Sequence, residues 1–232
     1  MDRVYLKTIS AVEAVSDMLE EDIYSLRYTM GEKVKETELV ERYNVSRNTI
    51  REALAFLVSK GLLEKVANKG IYVKEILTDD IEDIFHIREL LEAEAIRRIV
   101  AKGTVSRKLH DLAENTSRYN PDTASLANRN ADIAFHRYLV ESAGSTRLIN
   151  LYDNILSEVK LCIFQACAFV PGRPENAILH LKLVQAMEDR NVNEALSHLS
   201  DHIESAIDTY KIGITNCRKA SQKALSERVT IF

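Results

Sequence analysis

The chain has 232 residues, 46% of them hydrophobic and 28% charged. That is enough apolar material for one large core or two modest ones, and it excludes a disordered chain. A net charge of −4 excludes a protein coated all over with a nucleic-acid-binding surface, although a local basic patch remains possible. No apolar run approaches the roughly 18 residues of a membrane span, and Met1-Asp2-Arg3-Val4-Tyr5-Leu6-Lys7 lacks the apolar stretch of a secretory signal, so no membrane association and a cytoplasmic location are expected.

Seven glycines and three prolines over this length leave little room for long loops and predict a mostly α chain. In chain order, Ile9, Val12, Val15, Leu19, Ile23 and Leu26 recur at spacings of three and four, which marks one face of a helix. Gly31 ends that region. A short helix is predicted over 36–43 and a second over 46–60, separated by Asn44 and Val45, giving helix, tight turn, helix. Asn44 tolerates the left-handed conformation the turn needs, and Ser46 can cap the second helix. Leu62–Val66 and Ile71–Lys74 are β-prone runs around Ala67-Asn68-Lys69-Gly70, which predicts a hairpin. Thr78 with Asp79 and Asp80 offers a cap and an acidic first turn for a helix through about Lys102. Further helices are expected at about 106–119, 122–143, 145–169, 174–190 and 192–215, broken at Gly103, Asn120-Pro121, Gly144 and Pro171-Gly172-Arg173-Pro174.

These elements divide the chain into a winged helix-turn-helix over 1–76, an all-α helical bundle over 77–215 and a loosely held polar tail over 216–232. Cys162, Cys167 and Cys217 form neither an even disulfide framework nor a C-x-x-C motif and read as reduced thiols.

Residues 33–74 carry a net charge of +4, a basic patch inside an acidic chain. In the helix after the turn, Val45, Ile50, Leu54 and Leu57 are expected to face inward. Arg47, Asn48 and Arg51 occupy the first turns, which enter a DNA major groove first. Arg can donate two parallel hydrogen bonds to guanine and Asn can pair bidentately with adenine, while Ser46 and Thr49 hydroxyls can reach phosphates or bases. Lys69 and Gly70 at the hairpin tip suit a close approach to the minor-groove backbone. The bland alternative is an amphipathic helix whose arginines pair with nearby glutamates.

The run from Gly31 through Lys33, Glu36, Leu39-Val40 and Tyr43-Asn44-Val45-Ser46-Arg47-Asn48-Thr49-Ile50-Arg51-Glu52-Ala53-Leu54 resembles the DNA-binding domain of the GntR superfamily. Ile84-Phe85-His86-Ile87-Arg88-Glu89-Leu90-Leu91-Glu92 resembles the first sensor helix of its FadR branch, which carries an FCD ligand-binding domain. The likeness covers roughly residues 9 to 205. Met30-Gly31 stands where the family has Pro-Gly, and Asn44 where it has Gly in the turn; neither departure threatens the fold.

Asp132 and His136, four apart, lie on one helical face, and two later predicted helices supply His180 and His202. Together they offer a nitrogen-rich ligand set for a divalent transition metal such as Zn, Ni or Mn. Spacing leaves open whether the four converge, and a His in isolation is more often a surface or core hydrogen-bonding residue than a ligand. The resemblance implies that they do converge, because many FCD domains hold a metal through an Asp-x-x-x-His pair and two later histidines. His198, one turn before His202, is the rival ligand. Arg88 can clamp an effector carboxylate bidentately or pair along its own helix with Glu92.

The resemblance further implies a homodimer on an inverted-repeat operator in double-stranded DNA, repression as the default and a small carboxylate effector at the metal. Two alternatives stand beside it. One is a metal-dependent hydrolase using the Asp/His set, and the other is a DNA-binding protein with a metal-free helical dimerisation domain.

Overall fold

The structure, a computed structural model, describes the backbone over residues 10–117, 126–170 and 174–229, and side chains over 10–116, 127–170 and 178–220. The chain divides into two compact units, residues 1–75 and 76–232.

In the first unit, α1 (Ala11–Tyr24) is capped by Ser10, whose hydroxyl accepts from the Glu13 N–H at 3.0 Å. Its apolar stripe of Val15, Leu19 and Ile23 is buried and packs on α3 (Arg47–Ser59), which buries Ile50, Ala53, Leu54 and Leu57. Each such side chain contributes roughly 1.5–3 kcal/mol by leaving water. Between them, α2 (Glu36–Tyr43) ends on Asn44 in the left-handed conformation (φ 51°, ψ 48°), and Ser46 caps α3 by accepting from the Thr49 N–H at 3.1 Å. Val45, expected on the buried face, is only half-buried.

A hairpin follows, formed by β2 (Leu63–Val66) and β3 (Gly70–Val73), antiparallel with Leu63 opposite Val73 and Val66 opposite Gly70. Gly70 at φ 118° occupies backbone space that only glycine adopts without strain. The sheet has a third strand the sequence did not suggest, β1 (Lys33–Val34), which pairs antiparallel with β3 and makes the strand order β1-β3-β2. Two residues are too few for an alternating pattern to be visible.

The second unit is all helical among its described residues: α4 (Thr78–Lys102), α5 (Arg107–Ser117), α6 (Leu126–Ser142), α7 (Thr146–Cys167), α8 (Pro174–Glu188) and α9 (Val192–Val229). The cap of α4 differs from expectation. Thr78 is its first helical residue, and Asp80 closes the end by accepting the Leu77 N–H at 2.8 Å. The predicted start of α6 at 122 and the breaks at Asn120-Pro121 and 171–173 lie outside the described residues.

Helix α9 packs against α4, α7 and α8. It runs unbroken to Val229, past the helix end expected at 215, and buries Ile214 and Cys217. Residues 218–228 are polar but contain no Gly or Pro, so nothing in them stops a helix. The molecule is therefore mostly α, a winged helix-turn-helix followed by an all-α bundle.

Candidate DNA interface and metal centre

On the first unit, Arg47 and Asn48 stand exposed at the start of α3. Arg51 is also exposed, but its Nε donates to Glu36 at 2.9 Å. A solvent-exposed pair of this kind is worth little, so it yields readily to a stronger anion such as a phosphate. Ser46 and Thr49 have a structural task in the cap, and their hydroxyls lie 2.9 Å apart. Lys69 is exposed at the hairpin tip beside Gly70. Between α3, β1 and the hairpin lies an open groove of about 790 Å³, lined by Lys33, Lys35, Arg51, Lys65 and Lys69 with Glu36 among them. Lys35 and Lys65 entered the sequence reading only through the charge of the basic patch; the fold brings them, with Lys33, onto one concave surface with α3.

In the second unit, Asp132 and His136 on α6, His180 on α8 and His202 on α9 come together, with one ligand atom of each within 4.8 Å of the others. The His136 Nε2 lies 2.9 Å from that of His180 and 3.1 Å from that of His202. An Asp132 oxygen is 3.6, 3.4 and 3.8 Å from the Nε2 atoms of His136, His180 and His202. The imidazoles are 0–4% exposed and Asp132 22%, so the cluster's contact with solvent is through the carboxylate. His198 is not in the cluster; its Nε2 lies 3.8 Å from Glu194, beside Gln185 and Asp189.

Around the cluster is a second layer of buried partners. Glu92 on α4, fully buried, accepts from Arg88 Nε at 2.7 Å and the Tyr152 hydroxyl at 2.9 Å, and its other oxygen lies 2.7 Å from His136 Nδ1. Thr116 on α5 lies 2.8 Å from His180 Nδ1. Each of the six described helices of the unit thus contributes a side chain. Arg88 makes the pairing along its own helix that was considered for it and keeps a further donor beside the cluster. Its Nε pairs with Glu92, while one terminal nitrogen is buried without a hydrogen-bond partner among the described residues, 3.9 Å from the Asp132 carboxylate.

The electrostatics suit a cation. Burial and the Arg88 charge would lower the His136 pKa, but the carboxylates of Glu92 and Asp132 outweigh them and raise it. Burial holds His180 below its ordinary value despite Asp132, and burial with the neighbouring imidazoles holds His202 well below. Burial would raise Asp132, but His136 and His180 keep it well below the usual carboxylate range. A single proton on His136 Nε2 can bridge to one neighbouring nitrogen and not to both, whereas a divalent ion can accept lone pairs from all three and from Asp132. The residues present fit such an ion.

Comparison with known proteins bears on both halves. Residues 11–73 match the description "Bacterial regulatory proteins, gntR family", and residues 83–205 match the FCD domain. The HTH-type transcriptional regulator BphR of Paraburkholderia xenovorans is 30% identical over 212 residues, covering 87% of this chain and 86% of that one. The chain belongs to the GntR family.

Within that family the HTH-type transcriptional repressor RspR of Escherichia coli is 23% identical, with 84% and 86% of the two chains covered. A solved GntR regulator from Rhodococcus sp. RHA1 shares the fold at a TM-score of 0.70 and 24% identity, covering 86% of this chain and 96% of that one. This GntR-family chain is a DNA-binding transcriptional regulator and not an enzyme, which removes the hydrolase alternative. No helix among the described residues is long and apolar enough to cross a membrane. The stretch matching the FCD domain contains all four cluster residues together with Arg88, Glu92, Thr116 and Tyr152.

Sequence reasoning met Glu92 only as a partner for Arg88 and did not reach Thr116 or Tyr152. The Arg88-to-Glu92 spacing was the one available signal, since the other contacts join residues 44 to 64 positions apart.

Proposed function

We propose that this regulator is a repressor that binds an inverted-repeat operator as a homodimer, and that a small carboxylate held at a divalent metal on Asp132, His136, His180 and His202 sets its affinity for that operator. The observation that carries this reading is the meeting of three buried imidazoles and a partly exposed carboxylate at one point. Arg88 supports the choice of a carboxylate, because its unpartnered terminal nitrogen beside Asp132 can donate to an anion there. When bound, the metal supplies positive charge and open coordination positions for the effector.

On the first unit, Arg47, Asn48 and Arg51 are the groups proposed to reach base edges, with Ser46 and Thr49 holding the helix start and contributing hydroxyls. Lys69 and Gly70 approach the minor-groove backbone, and Lys33, Lys35 and Lys65 line the groove on the phosphate side. The name of RspR supports repression. Exposed apolar side chains on α4 (Ile87, Leu90) and α7 (Leu151) support self-association. An effector acts only if it prefers one arrangement of the dimer over the other.

Metal analysis of protein purified without a polyhistidine tag and dialysed after exposure to Zn, Ni and Mn tests the reading. One equivalent per chain that His136→Ala loses is the expected result; wild type retaining none of the three overturns it and leaves a metal-free helical domain.

A further inference from the structure

His136 and His180 each turn Nδ1 away from the cluster toward a buried oxygen, and the chemistry of those oxygens decides where each ring carries its hydrogen. Glu92 is held ionised. Its Oε1 accepts from the Arg88 guanidinium at 2.7 Å and from the Tyr152 hydroxyl at 2.9 Å, the pairing of a carboxylate. A carboxylate has no proton to give, so the 2.7 Å contact with His136 is an Nδ1–H donating to Glu92. The Thr116 hydroxyl donates its one proton to the Ala113 carbonyl at 2.8 Å. Its oxygen can then only accept, so the 2.8 Å contact with His180 is likewise an Nδ1–H donor. With hydrogen held on Nδ1, the proton that either ring gives up to become a ligand is the one on Nε2, which leaves the lone pair there, and these two nitrogens are the pair 2.9 Å apart. His202 differs, because its buried Nδ1 has no hydrogen-bond partner among the described residues.

We propose that Glu92 and Thr116 are positioning residues that fix His136 and His180 as Nε2 ligands before the metal arrives, leaving His202 as the ligand whose tautomer nothing holds. This rests on the metal reading above and extends it to two residues that do not touch the ion. Removing such an outer partner lets the ring rotate or move its hydrogen to Nε2, where it can no longer bind a metal. The characteristic cost is about 10- to 100-fold in metal affinity.

The test is a chelator-competition titration of Ni2+ and Zn2+ into the metal-stripped full chain. Thr116→Val keeps the shape and removes the acceptor, and is expected to lower affinity about 10- to 100-fold; Thr116→Ser keeps the acceptor and is expected to restore it. Glu92→Gln is expected to weaken binding too, but it leaves the Arg88 guanidinium buried against a neutral group and can fail to fold, so the Thr116 pair carries the decision. Melting of the metal-free proteins separates the roles: a merely structural threonine lowers the melting temperature of Thr116→Val without changing the metal affinity of the folded protein. Wild type and Thr116→Val binding equally tightly would overturn this inference alone. Wild type binding none of Ni2+, Zn2+ or Mn2+ would overturn the metal reading and this one with it.

Discussion

Asp22 ties the end of α1 to α2. Its carboxylate accepts from Arg42 at 2.8 Å, the Tyr43 hydroxyl at 2.8 Å and Arg27 at 3.4 Å. Burial would raise its pKa, but the hydrogen bonds of Arg42 and Tyr43 and the charges of Arg42 and Arg27 hold it below the ordinary value. A carboxyl whose folded pKa is depressed contributes stability that is fully present above the unfolded value, about 3.9, and is lost as pH falls through the folded value. Asp22→Asn is therefore expected to destabilise the winged unit at neutral pH by about 1–3 kcal/mol. Denaturant melts as a function of pH should show that gap closing below about pH 4; a gap independent of pH would contradict the assignment. At this scale the sequence was legible where chemistry follows local spacing. Asp132 and His136 share a face because they are four apart, and Asn44 and Ser46 read directly as turn and cap. Glu92 was legible as the partner of Arg88, but its contact with His136, and those of Tyr152 and Thr116, were not, because they are set by how α4, α5 and α7 pack around α6 and α8.

Helices α7 and α9 approach so closely at one point that a Cβ on Gly213 would lie 2.4 Å from the Ala166 carbonyl oxygen and 2.8 Å from its carbon. Both are backbone atoms that cannot swing away. Gly213→Ala is accordingly expected to destabilise the helical unit by roughly 1–3 kcal/mol, as overpacking does, against the gain in helix propensity that Ala ordinarily brings. Each kcal/mol should appear as about 2–4 °C in thermal unfolding; an unchanged or higher melting temperature would show that the two helices can part at no cost. Periodicity located the long helices because a buried stripe repeats over many turns. It could not see β1, whose two residues are specified only by pairing with β3, and it ended α9 too early because residues 218–228 lack an apolar stripe while remaining good helix formers.

Over the whole molecule, an acidic chain carries a basic groove on residues 1–75 and a histidine-rich cluster in residues 76–232. The resemblance in the reading helix and first sensor helix pointed to both halves, and the family matches over 11–73 and 83–205 agree with it. What local pattern could not supply was convergence, both of the groove lysines from β1 and β2 onto α3 and of ligands from α6, α8 and α9. The central claim is that α3 reads DNA sequence. It is tested most directly by fluorescence anisotropy of a labelled duplex from the region upstream of the protein's own gene, with unrelated duplex as competitor. The account predicts tight, competitor-resistant binding by the wild type that Arg47→Ala combined with Arg51→Ala abolishes. Equally weak binding by both proteins, only at low salt and also on a pool selected from the whole genome, would contradict it.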